Sequence, residues 1–450
     1  MARPGAPNAA PPPFASSAAQ RAALDAALER GVLALVDIGT AKATCLICRI
    51  DRNQIGEGAA GLGGFGAARI VGAGVNRARG VRLGAVVDME EAERAVRAAV
   101  DQAQRDSGEK ATHAVVTLSA GYPRSHALTG ETAVEKESVS ERDLSRAVAA
   151  CRPPSEGDGR EILHAIPVNW SLDAEPRVRD PRGFAGRRLG VDLHVLTVAE
   201  GAVRNLALVL RRADLALAGA AATGYASGLA CLAEEELEDG AACIDLGAGA
   251  TTIALFLRRH LVFADALRFG GEHITQDVMR AFGLAFPDAE RLKVLEGAAV
   301  VGEGAGRQRI EAAFDLGRFN GQPPTRADLA TAIRPRFEET LVLARDRLEQ
   351  AGFAFLPSRR VVLTGGGAQL KGAVEAARAV FGSQVRIGRP LRIGGLPPQF
   401  SGPAFAAVAG LATYAVRAPD AVWSAPRDGA KGGAAAPRWG GLFRWLKDTW

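Results

Sequence analysis

Cysteine, histidine and tyrosine are all scarce in these 450 residues: five, six and three. The cysteines (Cys45, Cys48, Cys151, Cys231, Cys243) form an odd, scattered set. That excludes a disulfide framework and points to reduced thiols in a cytosolic compartment. Cys45 and Cys48 fall inside one strand-like run, where a spacing of three turns the side chains to opposite faces. They read as buried structural residues rather than as a metal or redox pair. The histidines show no ligand spacing. No long apolar run is present either: the stretch from Val203 to Ala222 is interrupted by Arg204, Arg211, Arg212 and Asp214, which excludes a spanning helix there. Residues 1–20 are rich in Ala and Pro without a compact apolar core, unlike a signal peptide. Charge is nearly balanced at +5, with no basic run interleaved with aromatics in the body of the chain, so nucleic acid is not an expected partner.

What is present is a soluble, globular composition, 48% hydrophobic and 23% charged, too long for one ordinary core. Within it one phrase is written twice. Val36-Asp-Ile-Gly-Thr-Ala-Lys-Ala-Thr44 returns as Ile244-Asp-Leu-Gly-Ala-Gly-Ala-Thr-Thr252. Each copy reads as a strand, a tight glycine-bearing turn and a second strand. Repetition on this scale implies two related half-molecules. Small residues in such turns let backbone N–H groups approach a phosphate, and the neighbouring acids, Asp37 and Asp245, suit a hydrated Mg²⁺. A third element joins them. The strand-like Arg360–Thr364 opens into Gly365-Gly366-Gly367-Ala368 and a helix-compatible stretch from Leu370, a corner that admits close backbone contact with a planar or phosphorylated ligand.

In this order the motifs resemble the two phosphate motifs and the adenosine motif of the actin, heat-shock-chaperone and sugar-kinase ATPases. Four further stretches narrow the resemblance to the FtsA family of bacterial cell-division proteins: Gly84–Asp88, Gly270–Asp277, Ala289–Lys293 and Ile333–Glu339. The resemblance implies an α/β, actin-like two-lobed ATPase fold of duplicated ribonuclease-H-like domains. It places a first lobe (1A) at 31–85, 199–240 and 396–416, and an inserted strand-and-helix subdomain (1C) at 86–198. A second lobe (2A) spans 241–270 and 326–395, with a small subdomain (2B) at 271–325. Residues 1–30 are expected to be disordered or marginally helical and outside the fold, 417–437 a flexible linker, and 438–450 an amphipathic helix.

The resemblance also assigns roles. Gly39, Thr40, Ala41 and, more weakly, Lys42 face the phosphates from one side, with Gly247, Ala248, Gly249 and Thr251 on the other. Asp37 and Asp245 hold Mg²⁺, Gly365–Ala368 pack on the adenosine of ATP, and Gly270 and Gly271 belong to the same nucleotide site. Glu290 and Lys293 are either ribose contacts or an exposed helical pair. No catalytic residue is identified. Where several relatives carry a water-positioning carboxylate, this chain reads Ala222–Gly228 without acid or amide. Tight ATP binding with at most slow hydrolysis is therefore expected.

Helices are predicted over Met89–Gln104, capped by Asp88 with Glu91, over Ser140–Ala150, and over about 327–351, where Pro335 should bend the helix or mark its start. Strands are predicted at Ala114–Leu118, Ile162–Val168 and His194–Val198. The last thirteen residues place Trp439, Leu442, Phe443, Leu446 and Trp450 within an arc of about 100°, with Arg444, Trp445 and Lys447 around it. Two readings stay open, a helix docking on its own protein and one lying in a membrane interface; the tryptophan-and-basic composition favours the second. By resemblance the protein is peripheral, at the cytoplasmic face of the inner membrane at the septum. Its implied partners are the C-terminal peptide of FtsZ, copies of itself in a head-to-tail polymer, anionic lipids and later divisome proteins. Rival readings are a small-molecule kinase of the same superfamily and another bacterial actin-like filament protein.

Overall fold

The computed structural model describes residues 17–54, 66–151, 159–173, 175–310, 324–382 and 384–417. The linker and the terminal segment 438–450, with its Trp439, Leu442, Phe443, Arg444, Trp445, Leu446, Lys447 and Trp450, lie outside them. In chain order, helix α1 (Ser17–Glu29) precedes a meander of β1 (Val32–Ile38), β2 (Lys42–Ile50) and β3 (Ala68–Arg77). A small hairpin, β4 (Val81–Arg82) and β5 (Ala85–Val86), leads into α2 (Met89–Ser107) and β6 (His113–Leu118). Next come β7 (Arg124–Ala133), α3 (Glu141–Ala150), β8 (Arg160–Leu172), β9 (Glu175–Val178) and β10 (Arg188–Ala199). The chain continues through α4 (Glu200–Arg212), β11 (Ala216–Ala222), α5 (Thr223–Cys231) and α6 (Glu234–Asp239). A second meander, β12 (Ala241–Leu246), β13 (Thr251–Leu257) and β14 (His260–Leu267), is followed by α7 (Gly271–Phe282), α8 (Phe286–Glu296), α9 (Glu303–Gly306) and α10 (Arg326–Gln350). Finally β15 (Arg360–Thr364), α11 (Ala373–Phe381), β16 (Val385–Ile387) and α12 (Ala406–Arg417) complete the body.

The duplication is visible in the sheets. One has the order β3-β2-β1-β6-β11, the other β14-β13-β12-β15-β16, each an antiparallel meander extended by two parallel strands. Even the register repeats: Asp37 faces Thr44 across β1–β2, and Asp245 faces Thr252 across β12–β13. The central strands β1, β12 and β13 are apolar runs buried along nearly their whole length, as strands covered on both faces must be.

The helix that follows each sheet crosses to the other lobe. α5 leaves β11 and packs on β12, β13 and β14, whereas α12 lies on β1, β2, β3 and β6. The two helices cross so closely that a side chain at Gly410 would collide with the carbonyl of Ala226. From Ala406 to Val416 every residue of α12 is buried, which explains its uniformly apolar sequence.

Three expectations need correction. Residues 17–29 are not outside the fold: α1 is a helix whose Leu24, Ala27 and Leu28 are buried in the main core, an apolar stripe hidden in an Ala-rich stretch. The inserted unit does not begin at 86, because α2 packs on β2 and β3 and β6 pairs with β1. The separate sheet, of order β7-β10-β8-β9, starts only after Leu118. It has its own core, with α3 laid over Trp170, Leu189, Val191, Leu193 and Val195. Pro335 does not mark the start of α10 but lies inside it, since the helix begins at Arg326 with a Thr325–Asp328 capping box; Leu329, Ile333, Phe337, Leu341, Ala344 and Leu348 do form its buried face.

The inserted sheet touches both lobes. Leu163, Ile166 and Leu196 enter the main core, and His164 Nε2 accepts from the Ala222 N–H at 3.0 Å. On the other side Ser125 Oγ donates to the Ala264 carbonyl and accepts from the Ala264 N–H, both at 2.9 Å.

Candidate functional site

The two hairpin turns meet between the lobes. In each, the first glycine N–H donates to the carbonyl three residues on, Gly39 to Lys42 and Gly247 to Ala250, both at 3.0 Å. The turns are in contact: any side chain at Gly249 would strike Thr40 Oγ1 and the backbone of Leu83. Thr40 Oγ1 in turn accepts from the Gly84 N–H at 3.2 Å.

Asp37 and Asp245 sit at the bases of these turns, Asp245 buried and Asp37 partly so, within electrostatic reach of each other and of Lys42. Burial raises the pKa of Asp37, against the opposing pull of the Thr117 hydroxyl and the Lys42 charge. Burial pushes Asp245 up to about 6, the neighbouring Asp37 adding to the shift and Ser227 resisting it. Ser227 Oγ donates to Asp245 Oδ2 at 2.5 Å, and Thr117 Oγ1 donates to Asp37 Oδ1.

The third corner closes on the same acid. Gly365 holds φ 82°, a left-handed conformation open to glycine, and a side chain there would collide with Asp245 Oδ1. Gly366 to Gln369 form a short 3₁₀ turn, so regular helix begins at Ala373 rather than near Leu370. A side chain added at Gly366 would meet nothing, so this glycine faces open space beside the carboxylates, and Ala368 is buried behind it.

The other expected residues take supporting positions. Lys42 Nζ donates to the Ala404 carbonyl at 2.7 Å and lies 3.9 Å from the centre of the Phe405 ring. Gly270 and Gly271 brace the second turn, the Gly271 N–H donating to Gly247 at 2.9 Å and the Glu272 N–H to Ala248 at 2.8 Å. Lys293 reaches the same brace, donating to the Gly271 carbonyl at 3.0 Å, Thr275 Oγ1 at 2.8 Å and Glu290 Oε2 at 2.7 Å. Glu290 and Lys293 thus form an i,i+3 ion pair on α8 whose lysine is largely covered and braces the second turn. The hydroxyl of Thr251 is buried without a protein partner, as are those of Thr44 and Thr252 at matching places in the two hairpins.

Sequence reasoning missed Thr117 and Ser227. Thr117 lies beside Asp37 only because β6 runs parallel to β1, and Ser227 reaches Asp245 only because α5 crosses between lobes. Neither relation leaves a local signal.

The profile of the cell division protein FtsA matches residues 242–410, and that of the SHS2 domain inserted in FtsA matches 120–197. The cell division protein FtsA of Rhizobium meliloti is 41% identical over 386 residues, 85% of this chain and 87% of that protein. The chain belongs to the FtsA family. The FtsA of Agrobacterium fabrum is 38% identical over 427 residues, covering 93% of this chain and 95% of its own. Among solved structures, a PilM-PilN type IV pilus biogenesis complex aligns with a TM-score of 0.59 at 18% identity, covering 85% of this chain and 98% of that one, which supports the actin-like fold alone. The fold is thus the two-lobed, actin-like ATPase fold of the FtsA family, carrying the inserted SHS2 unit. A cell-division role follows from membership. Among the described residues no helix is long and apolar enough to cross a membrane.

Proposed function

We propose that this FtsA-family protein binds Mg-ATP between its lobes and ties FtsZ filaments to the cytoplasmic face of the inner membrane at the septum, where later divisome proteins are recruited. The observation that supports the nucleotide half is the convergence of two carboxylates largely shielded from water, Asp37 and Asp245, at the bases of two touching turns. Such a pair resists ionisation until a cation offsets it. Among the described residues no group of three or more His, Cys, Asp and Glu gathers as a cage. Two carboxylates without a cage suit Mg²⁺, which keeps several waters.

In this reading Asp37 and Asp245 hold the hydrated ion and the amides of Thr40, Ala41, Ala248 and Gly249 face the phosphates, those of Gly39 and Gly247 closing the turns. Gly365–Ala368 take the adenosine, with Gly366 as the open contact. Mg-ATP supplies charge that both lobes must grip, so its binding favours the closed cleft. Ser227 carries that grip across lobes, because it sits on α5 and holds Asp245. The polar side chains of α5 include no acid or amide, and Ser227 is already engaged. ATP is therefore read as a switching ligand with slow turnover at most. Closure favours head-to-tail contacts between protomers, and the polymer multiplies weak terminal helices into a firm anchor. Gly440 and Gly441 each cost roughly 1 kcal/mol of helicity, so that helix forms on lipid rather than in water.

Pelleting with anionic vesicles tests the anchor. Removal of 438–450 should abolish co-sedimentation and leave ATP affinity unchanged; unaltered pelleting defeats this reading.

A further inference from the structure

We infer that His164, on the inserted sheet, is a positioning residue for the Mg-ATP site: it seats α5, and α5 presents Ser227 to Asp245. This rests on the nucleotide reading and names what holds that site from outside the cleft.

The contact starts at the edge of the first sheet. β11 is its outermost strand, so no further strand lies beyond it to take outward-facing N–H groups. Ala222 ends β11 and caps α5, and it has no side chain able to supply a capping bond. His164, on β8, brings an acceptor there: its Nε2 takes the Ala222 N–H at 3.0 Å. An imidazole nitrogen accepts only when it carries no proton, so the ring is neutral with its proton on Nδ1. That nitrogen is buried without a partner among the described residues, which leaves Ala222 as the one hydrogen bond of the ring. Burial, and then the neighbouring His194, push the His164 pKa down to about 3, which keeps the acceptor free of a proton at neutral pH.

The ring is also a packing wedge. His164 meets Tyr225 of α5 edge-on at 5.2 Å between ring centres and Tyr414 of α12 at 5.7 Å. The two tyrosines meet edge-on at 6.0 Å, and all three residues are buried. Tyr414 Oη donates to the Ala220 carbonyl at 3.2 Å, tying α12 to the same strand end. The inserted sheet, the edge strand and both exchanged helices converge on one imidazole.

Helix α5 has no slack with which to absorb a shift. A side chain at Gly224 would press on the Ile253 backbone, one at Gly228 would strike the Phe256 ring, and the Ala226 carbonyl lies against Gly410. The helix backbone therefore rides directly on β13 on one side and α12 on the other. A displacement at its first turn is passed along rather than taken up by side-chain rearrangement. Ser227 stands on the next turn, wholly buried, and holds Asp245 Oδ2 at 2.5 Å. His164 thereby sets the geometry of an acid that it does not touch. Coupling free energy is reciprocal, so Mg-ATP in turn tightens the His164 contact.

The test measures ATP affinity of the full chain by calorimetry, with Mg²⁺ and with EDTA. His164→Phe keeps a ring and loses the acceptor; His164→Gln loses the ring and keeps an acceptor able to reach Ala222. His164→Phe should weaken Mg-ATP binding about tenfold, the lower end for outer partners of a metal site, and change metal-free ATP binding less than about twofold. His164→Gln, with the hydrogen bond restored, should return to within about threefold of wild type. In a Ser227→Ala background the Phe substitution should add less than about twofold, because the route runs through Ser227. Wild-type Mg-ATP affinity in a folded His164→Phe variant overturns the inference. So does an equal loss with and without Mg²⁺, the mark of general damage to the core, or an undiminished loss in the Ser227→Ala background. Should His164→Phe not fold, hydrogen exchange on the unaltered protein decides. Mg-ATP should slow exchange of the Ala222 amide and ATP in EDTA should not; an amide unmoved, or slowed alike in EDTA, overturns the inference. Wild-type affinity for ATP that is indifferent to Mg²⁺ sinks the reading of the site itself, whereas Mg-dependent binding untouched by His164→Phe sinks only the positioning role.

Discussion

The two hairpins are copies in register but not in support. Thr117 and Thr364 occupy equivalent places, each on the parallel strand beside the acid. Thr117 donates to Asp37, its own lobe's carboxylate. Thr364 instead donates to the carbonyls of Gly388 and Pro403, at 3.1 and 3.2 Å, and leaves Asp245 to Ser227 of the crossing helix. One acid is thus held from within its lobe, the other from across the molecule. A duplicated site becomes a sensor of lobe arrangement when one copy takes its partner from the opposite half.

The largest way to separate the copies is to delete each acid. Asp245→Ala should weaken Mg-ATP binding by more than about a hundredfold, since outer partners of a metal site alone are worth 10–100-fold. Asp37→Ala should do the same, and calorimetric affinity equal to wild type in either variant would remove that residue from the site.

Next comes pH. The folded pKa of Asp245, about 6, stands above its ordinary 3.8, so folding takes up a proton in that window. The ligand-free protein should therefore lose stability as pH rises through it, by up to about 3 kcal/mol from this group. Asp245→Asn should raise the melting temperature at pH 7.5 and lose that advantage at pH 4.5. Asp37→Asn should act in the same direction. A flat difference across pH would mean that Asp245 is not charged against its surroundings.

A smaller effect distinguishes the two supports. Ser227→Ala and Thr117→Ala should each cost about 2 kcal/mol of stability, the scale of a hydrogen bond to a charged group. Only Ser227→Ala should also uncouple ATP binding from polymer assembly, read by pelleting with and without nucleotide. Equal behaviour of the two variants would erase the contrast between the copies. The smallest test is symmetrical. Thr44→Val and Thr252→Val remove buried hydroxyls that lack protein partners, and each should stabilise the ligand-free chain by about 1 kcal/mol in thermal unfolding.

How much of this was legible beforehand follows from locality. The Asp-x-Gly hairpins, the triple glycine, the Asp88 cap and the face of α10 are written within short windows, and the structure has them where the residues suggest. Strand β7 was missed because it has no fully buried residue and no apolar alternation to betray it. The start of the inserted unit was misplaced because only pairing with β1, across more than seventy residues, assigns β6 to the first sheet. Lys42, the weaker phosphate candidate that the resemblance implied, has its ammonium on the Ala404 carbonyl and the Phe405 ring, partners from the far end of the chain that no local window contains.

The exchange of α5 and α12 has one more implication. A cut at Gly240 would send each half away with the helix that its counterpart buries. Neither fragment could hide its own apolar seat, so severed halves should stay insoluble apart and regain order only when mixed. Kinship between the halves survives in their strands, but independence was surrendered when the helices changed sides.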